Sequence, residues 1–245
     1  MTADAERVRE ALGWLERHGN KRTREEMLTR YGITAPKAFG MSVGTIQQLA
    51  KRLGRDHDLA AGLWETGWYE ARMLASFIDD PGRVTPAQMD RWARDFDNWG
   101  ICDTVCFHLF DRTSHAWRKV EPWSRRREEF VKRAAFALLA GLGLHDKAAG
   151  DEPFLRSLVL VERAASDDRN FVKKGVSWAL RVVGRRNQAL NDAAIEVSRR
   201  LVESPDAAAR WVGREALKEL TGPVVRRRLA ARRKAVKAVK AVKAT

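Results

Sequence analysis

The chain has few cysteines and no long apolar run, and each shortage excludes a class of protein. Two cysteines in 245 residues are too few for a disulfide framework. No stretch approaches the roughly 18 apolar residues of a membrane span, and the charged, amphipathic start has no apolar signal-peptide core. The sequence therefore predicts a cytoplasmic protein with no membrane partner.

Motifs of metal-dependent and nucleotide-dependent enzymes are also missing. Cys102 and Cys106 lie four residues apart with His108 nearby, but zinc needs four ligands and no second Cys or His cluster exists. Buried structural thiols are therefore the better interpretation. Gly141-Leu-Gly143 follows no strand and lacks the third glycine of a dinucleotide loop, and there is no P-loop. We expect no cofactor and no metal, which disfavours a metal-dependent nuclease.

Charge is unevenly distributed along the chain. There are 46 Lys and Arg against 32 Asp and Glu, and residues 226–245 contain nine basic and no acidic residues. Such a balance favours a nucleic-acid partner, although a solubilising charge excess is the alternative. The Ala-Val-Lys units of this tail recur every three residues, so a helical apolar stripe would drift around the helix. We expect one domain over residues 1–225 and a basic, low-complexity tail over 226–245 that is disordered or becomes transiently helical on DNA.

Strand signals are almost absent, and the residues that dominate the sequence favour helices. Ala, Leu, Arg, Lys and Glu are abundant, and alternating β-branched runs are missing. Several prolines and capping residues mark expected helix starts, at Thr85-Pro86, Ser124, Asp151-Glu152-Pro153 and Ser204-Pro205. The sequence predicts an all-α protein of about a dozen helices.

A repeat of about 40 residues is visible in the second half. Aromatic-valine pairs begin at Phe130, Phe171 and Trp211, 41 and then 40 residues apart. Nine residues after each aromatic comes a leucine, namely Leu139, Leu180 and Leu220. Three residues after each aromatic comes a basic residue, namely Arg133, Lys174 and Arg214. Such a period is typical of the helix pairs of a HEAT-like α-solenoid, although three loose units can also arise by chance. The basic row would suit a phosphate backbone.

Trp99 and Asp103 are the strongest candidate site residues. If their run is helical, the four-residue spacing places the indole and the carboxylate on one face. An aromatic ring beside a fixed anion suits a substrate with positive charge, whereas the ordinary alternative is a packed Trp and a capping Asp. Trp178 has basic neighbours on its own helical face. Packing is expected for Trp14, Trp64, Trp68, Trp92, Trp117 and Trp211, and a surface salt bridge for Glu70 and Arg72.

Four ordered pieces of the chain, spread from about residue 38 to 221, resemble the AlkD-like DNA alkylation repair proteins, which are HEAT-like alkylpurine DNA glycosylases. These pieces are Leu63-Trp64 with Glu70-Ala-Arg72; Phe96-Asp-Asn-Trp99-Gly-Ile-Cys-Asp103; Phe130-Val-Lys-Arg133-Ala-Ala-Phe136; and Asp168-Arg-Asn-Phe-Val-Lys-Lys174-Gly-Val-Ser-Trp178-Ala-Leu-Arg181. The second and fourth pieces together make the resemblance specific.

The resemblance implies a C-shaped solenoid of antiparallel helix pairs that grips duplex DNA in a basic concave groove. It implies Asp103 as the catalytic carboxylate, with Trp99 and Trp178 as aromatic walls. The implied DNA-binding residues are Arg133, which matches an active-groove arginine, and Lys173, Lys174, Arg181 and Arg214. One departure is visible: many members carry an Asp directly after the first Trp, where this chain has Gly100.

The resulting prediction is a monomeric, metal-independent DNA glycosylase of base excision repair, associated with the nucleoid through double-stranded DNA. Its substrates would be cationic N3- or N7-alkylated purines. The alternatives are a noncatalytic HEAT-like module that binds damaged or branched DNA, and a protein scaffold.

Overall fold

The computed structural model describes the backbone of residues 3–242 and the side chains of residues 4–234. This part of the chain contains only helices and their connections, which confirms the all-α prediction. The α-helices are α1 (Ala3–Arg17), α2 (Lys21–Tyr31), α3 (Val43–Leu53), α4 (His57–Glu65), α5 (Tyr69–Ile78), α6 (Pro86–Arg94), α7 (Trp99–His108), α8 (Ala116–Ser124), α9 (Glu129–His145), α10 (Glu152–Ala164), α11 (Asn170–Gly184), α12 (Gln188–Val202), α13 (Ala207–Leu220) and α14 (Pro223–Val242). A single turn of 3-10 helix covers Phe110–Arg112. None of the described helices has both the length and the apolar character to cross a bilayer.

Two of the four expected helix starts are confirmed. Thr85 caps α6, whose first residue is Pro86, and Pro153 lies in the first turn of α10. Ser124 is instead the last residue of α8, and its hydroxyl donates to the Glu121 carbonyl within that helix. At Ser204-Pro205 the helix begins slightly later, because the carboxylate of Asp206 caps α13.

The helices form two compact units, Met1–Arg118 and Lys119–Thr245. No signal in the sequence had indicated this division. A single domain over residues 1–225 stays a prediction, because a solenoid can contain more than one compact unit.

Stacked tryptophans form the core of the first unit. The rings of Trp64 and Trp92 are fully buried and stack with their centroids 3.9 Å apart, which confirms packing roles for both. The Trp64 Nε1 donates to Asp95 Oδ2 at 2.8 Å, and the Arg72 guanidinium lies 5.0 Å from the Trp64 ring. These contacts fix the segment that leads from α6 into α7.

The expected surface salt bridge between Glu70 and Arg72 is wrong. Glu70 has no exposed surface, and its carboxylate accepts hydrogen bonds from the backbone N–H groups of Phe39 and Gly40 at 2.9 and 2.8 Å. These bonds satisfy the buried charge and hold the segment between α2 and α3 against α5. Arg72 instead donates to the Asp95 carbonyl at 3.1 Å.

The second unit contains the repeat. Its helices α9, α11 and α13 pack side by side, with α11 in contact with both others, and α10 packs against α12. The repeated leucines Leu139, Leu180 and Leu220 are fully buried. The aromatic residues stand near the starts of α9, α11 and α13, as a stacked series of helix pairs requires.

The basic tail is helical in the described residues, whereas its expected disorder or transient helix formation on DNA stays a prediction. Residues up to Val242 belong to α14, and residues 243–245 lie outside the described part of the chain. Leu, Ala, Arg and Lys favour helix, and Val225 and Leu229, one turn apart, are buried. Arg232 donates to the backbone carbonyls of Arg185 and Arg186, so side chains anchor α14 at the end of α11.

Gly213 allows α13 to approach α12 at backbone distance. A Cβ atom at this position would lie 2.7 Å from the Ser198 carbonyl oxygen and 2.8 Å from the Val202 nitrogen. We expect Gly213→Ala to lower the free energy of unfolding by about 1–3 kcal/mol, because backbone atoms cannot turn aside. Urea unfolding measures this change. Gly150→Ala is the matched control, since nothing lies within 4 Å of its Cβ position; equal stability of the two variants would contradict close helix packing.

Candidate functional site

Helix α7 presents the candidate carboxylate and indole on one face. Asn98 caps the helix, and its side-chain oxygen accepts from the Ile101 N–H at 3.0 Å. Trp99 is the first residue of α7 and Asp103 lies one turn further on; both are half-buried. The expected helical arrangement of the pair is therefore present.

A hydrogen bond fixes the orientation of the Trp99 ring. Its Nε1 donates to the carbonyl oxygen of Tyr31 at 2.9 Å. Tyr31 ends α2, where backbone carbonyls lack partners within the helix. Because the N–H is engaged there, Trp99 can offer a partner its ring surface rather than a hydrogen-bond donor.

The two cysteines of α7 belong to the core. Cys102 and Cys106 form no disulfide and are fully buried, which confirms their expected structural role. Burial raises the pKa of Cys106 well above its usual value, and the neighbouring Cys102 and Asp103 add to the rise. A neutral, buried thiol is a poor nucleophile, so Cys106 adds no reactive group to α7.

Gly100 is explained by the residue packed against it. A Cβ atom at this position would lie 2.6 Å from the Tyr69 hydroxyl oxygen and 3.1 Å from Ile33 Cδ1. Tyr69 is buried, and burial raises its pKa, with further contributions from Glu70 and Asp97. A neutral phenol therefore fills the space that a side chain at position 100 would need, and an Asp cannot be placed there without movement.

Helix α11 carries three of the expected DNA-binding residues, in different surroundings. Lys174 is exposed. The Lys173 Nζ lies 5.1 Å from the centroid of the Trp211 ring, and Arg181 donates to Glu219 Oε2 at 2.7 Å. Trp178, on the same helix, is half-buried, and Arg214 is exposed on α13. Lys174 and Arg214 are therefore the bases with the most open surface.

Arg133 departs from the expected row of phosphate contacts. Only 6% of its surface is exposed, and its Nη1 donates to the Phe171 carbonyl at 2.6 Å. Gly175 on α11 lies beside this side chain, since a Cβ atom there would be in ordinary van der Waals contact with Arg133 Cγ at 3.4 Å. Arg133 thus ties α9 to α11.

An ion-pair cluster at the start of α11 was missed from the sequence. Asp167 Oδ2 lies 3.0 Å from Lys132 Nζ on α9 and 2.6 Å from Arg169 Nη2. The Arg169 hydrogen bond, together with Lys132, lowers the pKa of Asp167 to about 2. Arg169 also donates to the Arg127 carbonyl at 2.6 Å. The run Asp167-Asp168-Arg169 could have indicated a local ion pair. The contact with Lys132 could not be predicted, because it depends on packing between helices.

The candidate residues fall in both units. Trp99 and Asp103 belong to the first and share α7. The other candidate residues belong to the second unit and lie on three neighbouring helices. Arg133 is on α9, Arg214 is on α13, and α11 carries Lys173, Lys174, Trp178 and Arg181.

Asp167 makes stability depend on pH. Its pKa is about 2 in the folded protein against 3.8 ordinarily, so the stabilisation is present above about pH 4 and is lost as the pH falls towards 2. We expect Asp167→Asn to lower the free energy of unfolding by about 1 kcal/mol at pH 7, with the difference from wild type vanishing near pH 2. Urea unfolding at several pH values tests this. Asp168→Asn removes the same charge from an exposed neighbour; an equal loss in that variant would contradict the ion-pair explanation.

The contact between Gly100 and Tyr69 is testable by a double-mutant cycle. Gly100→Ala should lower the free energy of unfolding by about 1–3 kcal/mol, because the new methyl group meets the phenol oxygen. In the Tyr69→Phe background the same substitution should cost less, since the hydroxyl is gone. Additive effects of the two substitutions, measured by thermal unfolding, would show that this contact does not select glycine.

Comparisons with known proteins agree with this architecture. Residues 8–220 match the family model described as DNA alkylation repair enzyme. No curated protein matches the chain. A solved structure described as belonging to a new family of proteins related to the HEAT-like repeat DNA glycosylases, with affinity for branched DNA structures, has a TM-score of 0.73 at 21% identity. The alignment covers 91% of this chain and 95% of that one, which confirms the HEAT-like fold.

Proposed function

The chain belongs to the DNA alkylation repair enzyme family, and on this premise we propose that it is a DNA glycosylase for N3- or N7-alkylated purines. One observation carries the proposal: Trp99 and Asp103 share a half-buried face of α7, a turn apart. An indole and a carboxylate in this arrangement favour a partner with positive charge.

The substrate explains why so little catalytic machinery is needed. A purine alkylated at N3 or N7 carries a formal positive charge and leaves as a neutral base, so no general acid has to protonate it. The enzyme still has to stabilise the sugar, which becomes oxocarbenium-like as the glycosidic bond breaks. Asp103 would stabilise this cation and orient or deprotonate the attacking water.

The indole of Trp99 would contribute through its ring face. Its N–H is engaged by the Tyr31 carbonyl, which holds the ring in one orientation. A cationic sugar or base packed on an indole gains about 0.5–2 kcal/mol. Trp178 stays a predicted second aromatic wall, supported by the resemblance and by its half-buried position on α11.

DNA binding would come from the exposed bases of the second unit. Lys174 and Arg214 are exposed, and they would hold phosphates without reading sequence. Lys173 and Arg181 carry positive charge in the same unit, but Trp211 and Glu219 already contact them. Arg133 would act by positioning α11, the helix of Lys174 and Trp178.

A noncatalytic module for damaged or branched DNA is the second candidate. The solved structure with the same fold, whose family is described as having affinity for branched DNA, favours it. So does Gly100, which stands where many AlkD-like members carry an Asp. A pure phosphate binder, however, gains nothing from the Asp103 carboxylate beside an indole, and we therefore place the enzyme first.

Substitution of Asp103 tests the proposed chemistry. We expect Asp103→Asn to reduce single-turnover release of 3-methyladenine and 7-methylguanine from methylated duplex DNA by about 10²–10³, because the stabilising charge is removed. DNA affinity and the melting temperature should change little. Release is measured by chromatography of the free bases, and binding by fluorescence anisotropy.

Asp58→Asn is the matched control, since it removes the same charge from an exposed residue of α4 in the same unit, where Asp58 pairs with the exposed Arg83. It should retain the wild-type rate. Full activity of Asp103→Asn would refute the assignment of the carboxylate. Tight DNA binding by the wild type with no base release would favour the noncatalytic module.

A further inference from the structure

A strongly basic cavity lies in the second unit, at the end of α11 opposite to Lys174. It has a volume of about 400 Å³ and lies where the ends of α9 and α11 meet α14. Five of its lining residues are basic, namely Lys147, Arg185, Arg186, Arg228 and Arg232. No acidic residue of the described chain lines it.

Arg186 builds the wall of this cavity. Its Nη1 donates to the carbonyls of Gly143 and Asp146 at 2.8 and 3.0 Å, and its Nη2 donates to that of Ala149 at 3.1 Å. The guanidinium also lies 4.0 Å from the Phe154 ring centroid. These bonds cap the end of α9 and hold one positive charge rigidly in place.

Two other bases also have structural partners. Arg185 pairs with Glu219 at 3.1 Å, and Arg232 donates to the carbonyls at the end of α11. Arg186 and Arg232 thus have a structural role at helix ends, and Arg185 has one in an ion pair.

Lys147 and Arg228 have fewer structural partners than these three arginines. Arg228 is exposed and makes no hydrogen bond or ion pair with any described residue. Lys147 donates to the Leu144 carbonyl, and burial together with the charges of Arg186, Arg232 and Arg228 lowers its pKa. The like charges therefore repel one another in the absence of a ligand, and an anion would relieve that repulsion.

We propose that this cavity binds phosphate groups, and that their source is the phosphodiester backbone of a nucleic acid. Guanidinium groups match phosphate oxygens in geometry, and the fixed Arg186 needs no reordering on binding. An open cavity of this size has room for more than one phosphate. This site is separate from the DNA contacts of the proposed function. Arg185 follows Lys174 by 11 residues, which corresponds to about 16 Å along a helix.

The test compares two double variants with the same loss of charge. Lys147→Gln/Arg228→Gln removes two bases and keeps the helix-end hydrogen bonds of Arg186 and Arg232. Arg163→Gln/Arg227→Gln is the control, since both residues are exposed bases of the same unit that do not line the cavity. Calorimetry with pyrophosphate at low salt should show binding to the wild type, about a tenfold or greater loss in the cavity variant, and less than a twofold change in the control. Lys147→Arg/Arg228→Lys should retain binding.

Duplex DNA distinguishes the two sources of phosphate. If the cavity binds the DNA backbone, the slope of log affinity against log salt concentration should become shallower by about 0.9 for each phosphate that is no longer neutralised. This change should be larger in the cavity variant than in the control variant. Pyrophosphate binding without this difference would support the phosphate site and overturn nucleic acid as its source. No pyrophosphate binding by the wild type, or an equal loss in both variants, would overturn the site itself. Base release at saturating DNA should be unchanged, so failure here is distinct from failure of the glycosylase proposal.

Discussion

The burial of apolar faces between neighbouring helices is the constraint on which the second unit depends. No helix pair can cover its own apolar face, so α11 packs against both α9 and α13 and buries Val172, Val176 and Leu180. This spacing brings the Phe171 carbonyl within reach of Arg133, and Asp167 within reach of Lys132. The ends of the same helices form the walls of the basic cavity. The packing of these helices therefore positions both the candidate DNA-binding residues and the structural hydrogen bonds.

Patterns that follow from local chemistry were predictable from the sequence. The all-α fold and the 40-residue repeat depend on helix propensity and on leucines at fixed spacing, and the spacing of Trp99 and Asp103 fixes their common face once Asn98 caps the helix. Features that depend on a distant partner were not predictable. Glu70 is buried where two backbone N–H groups from another segment reach it, and Arg133 is buried where the Phe171 carbonyl of the next repeat accepts its hydrogen bond. The helical course of α14 likewise reflects the packing of Val225 and Leu229.

The first unit places one carboxylate, and no second one, on the helix of the proposed catalytic residue. Tyr69 occupies the space beside Gly100 with a neutral hydroxyl, so the first turn of α7 carries no carboxylate and Asp103 is the only acidic side chain of that helix. Stabilisation of a cationic transition state requires one well-placed anion, whereas binding of a phosphate backbone is opposed by it. The retained Asp103 therefore favours catalysis on a substrate that is already positively charged.

In the proposed reaction, the positive charge of the damaged base replaces a general acid. The most direct measurement is single-turnover base release by the wild-type protein from two duplexes of the same sequence, one containing 7-methylguanine and the other uracil. Release of the cationic 7-methylguanine and no release of the neutral uracil are expected. Comparable rates for both bases would refute this mechanism, because Asp103 and Trp99 stabilise a cation and do not protonate a neutral leaving base.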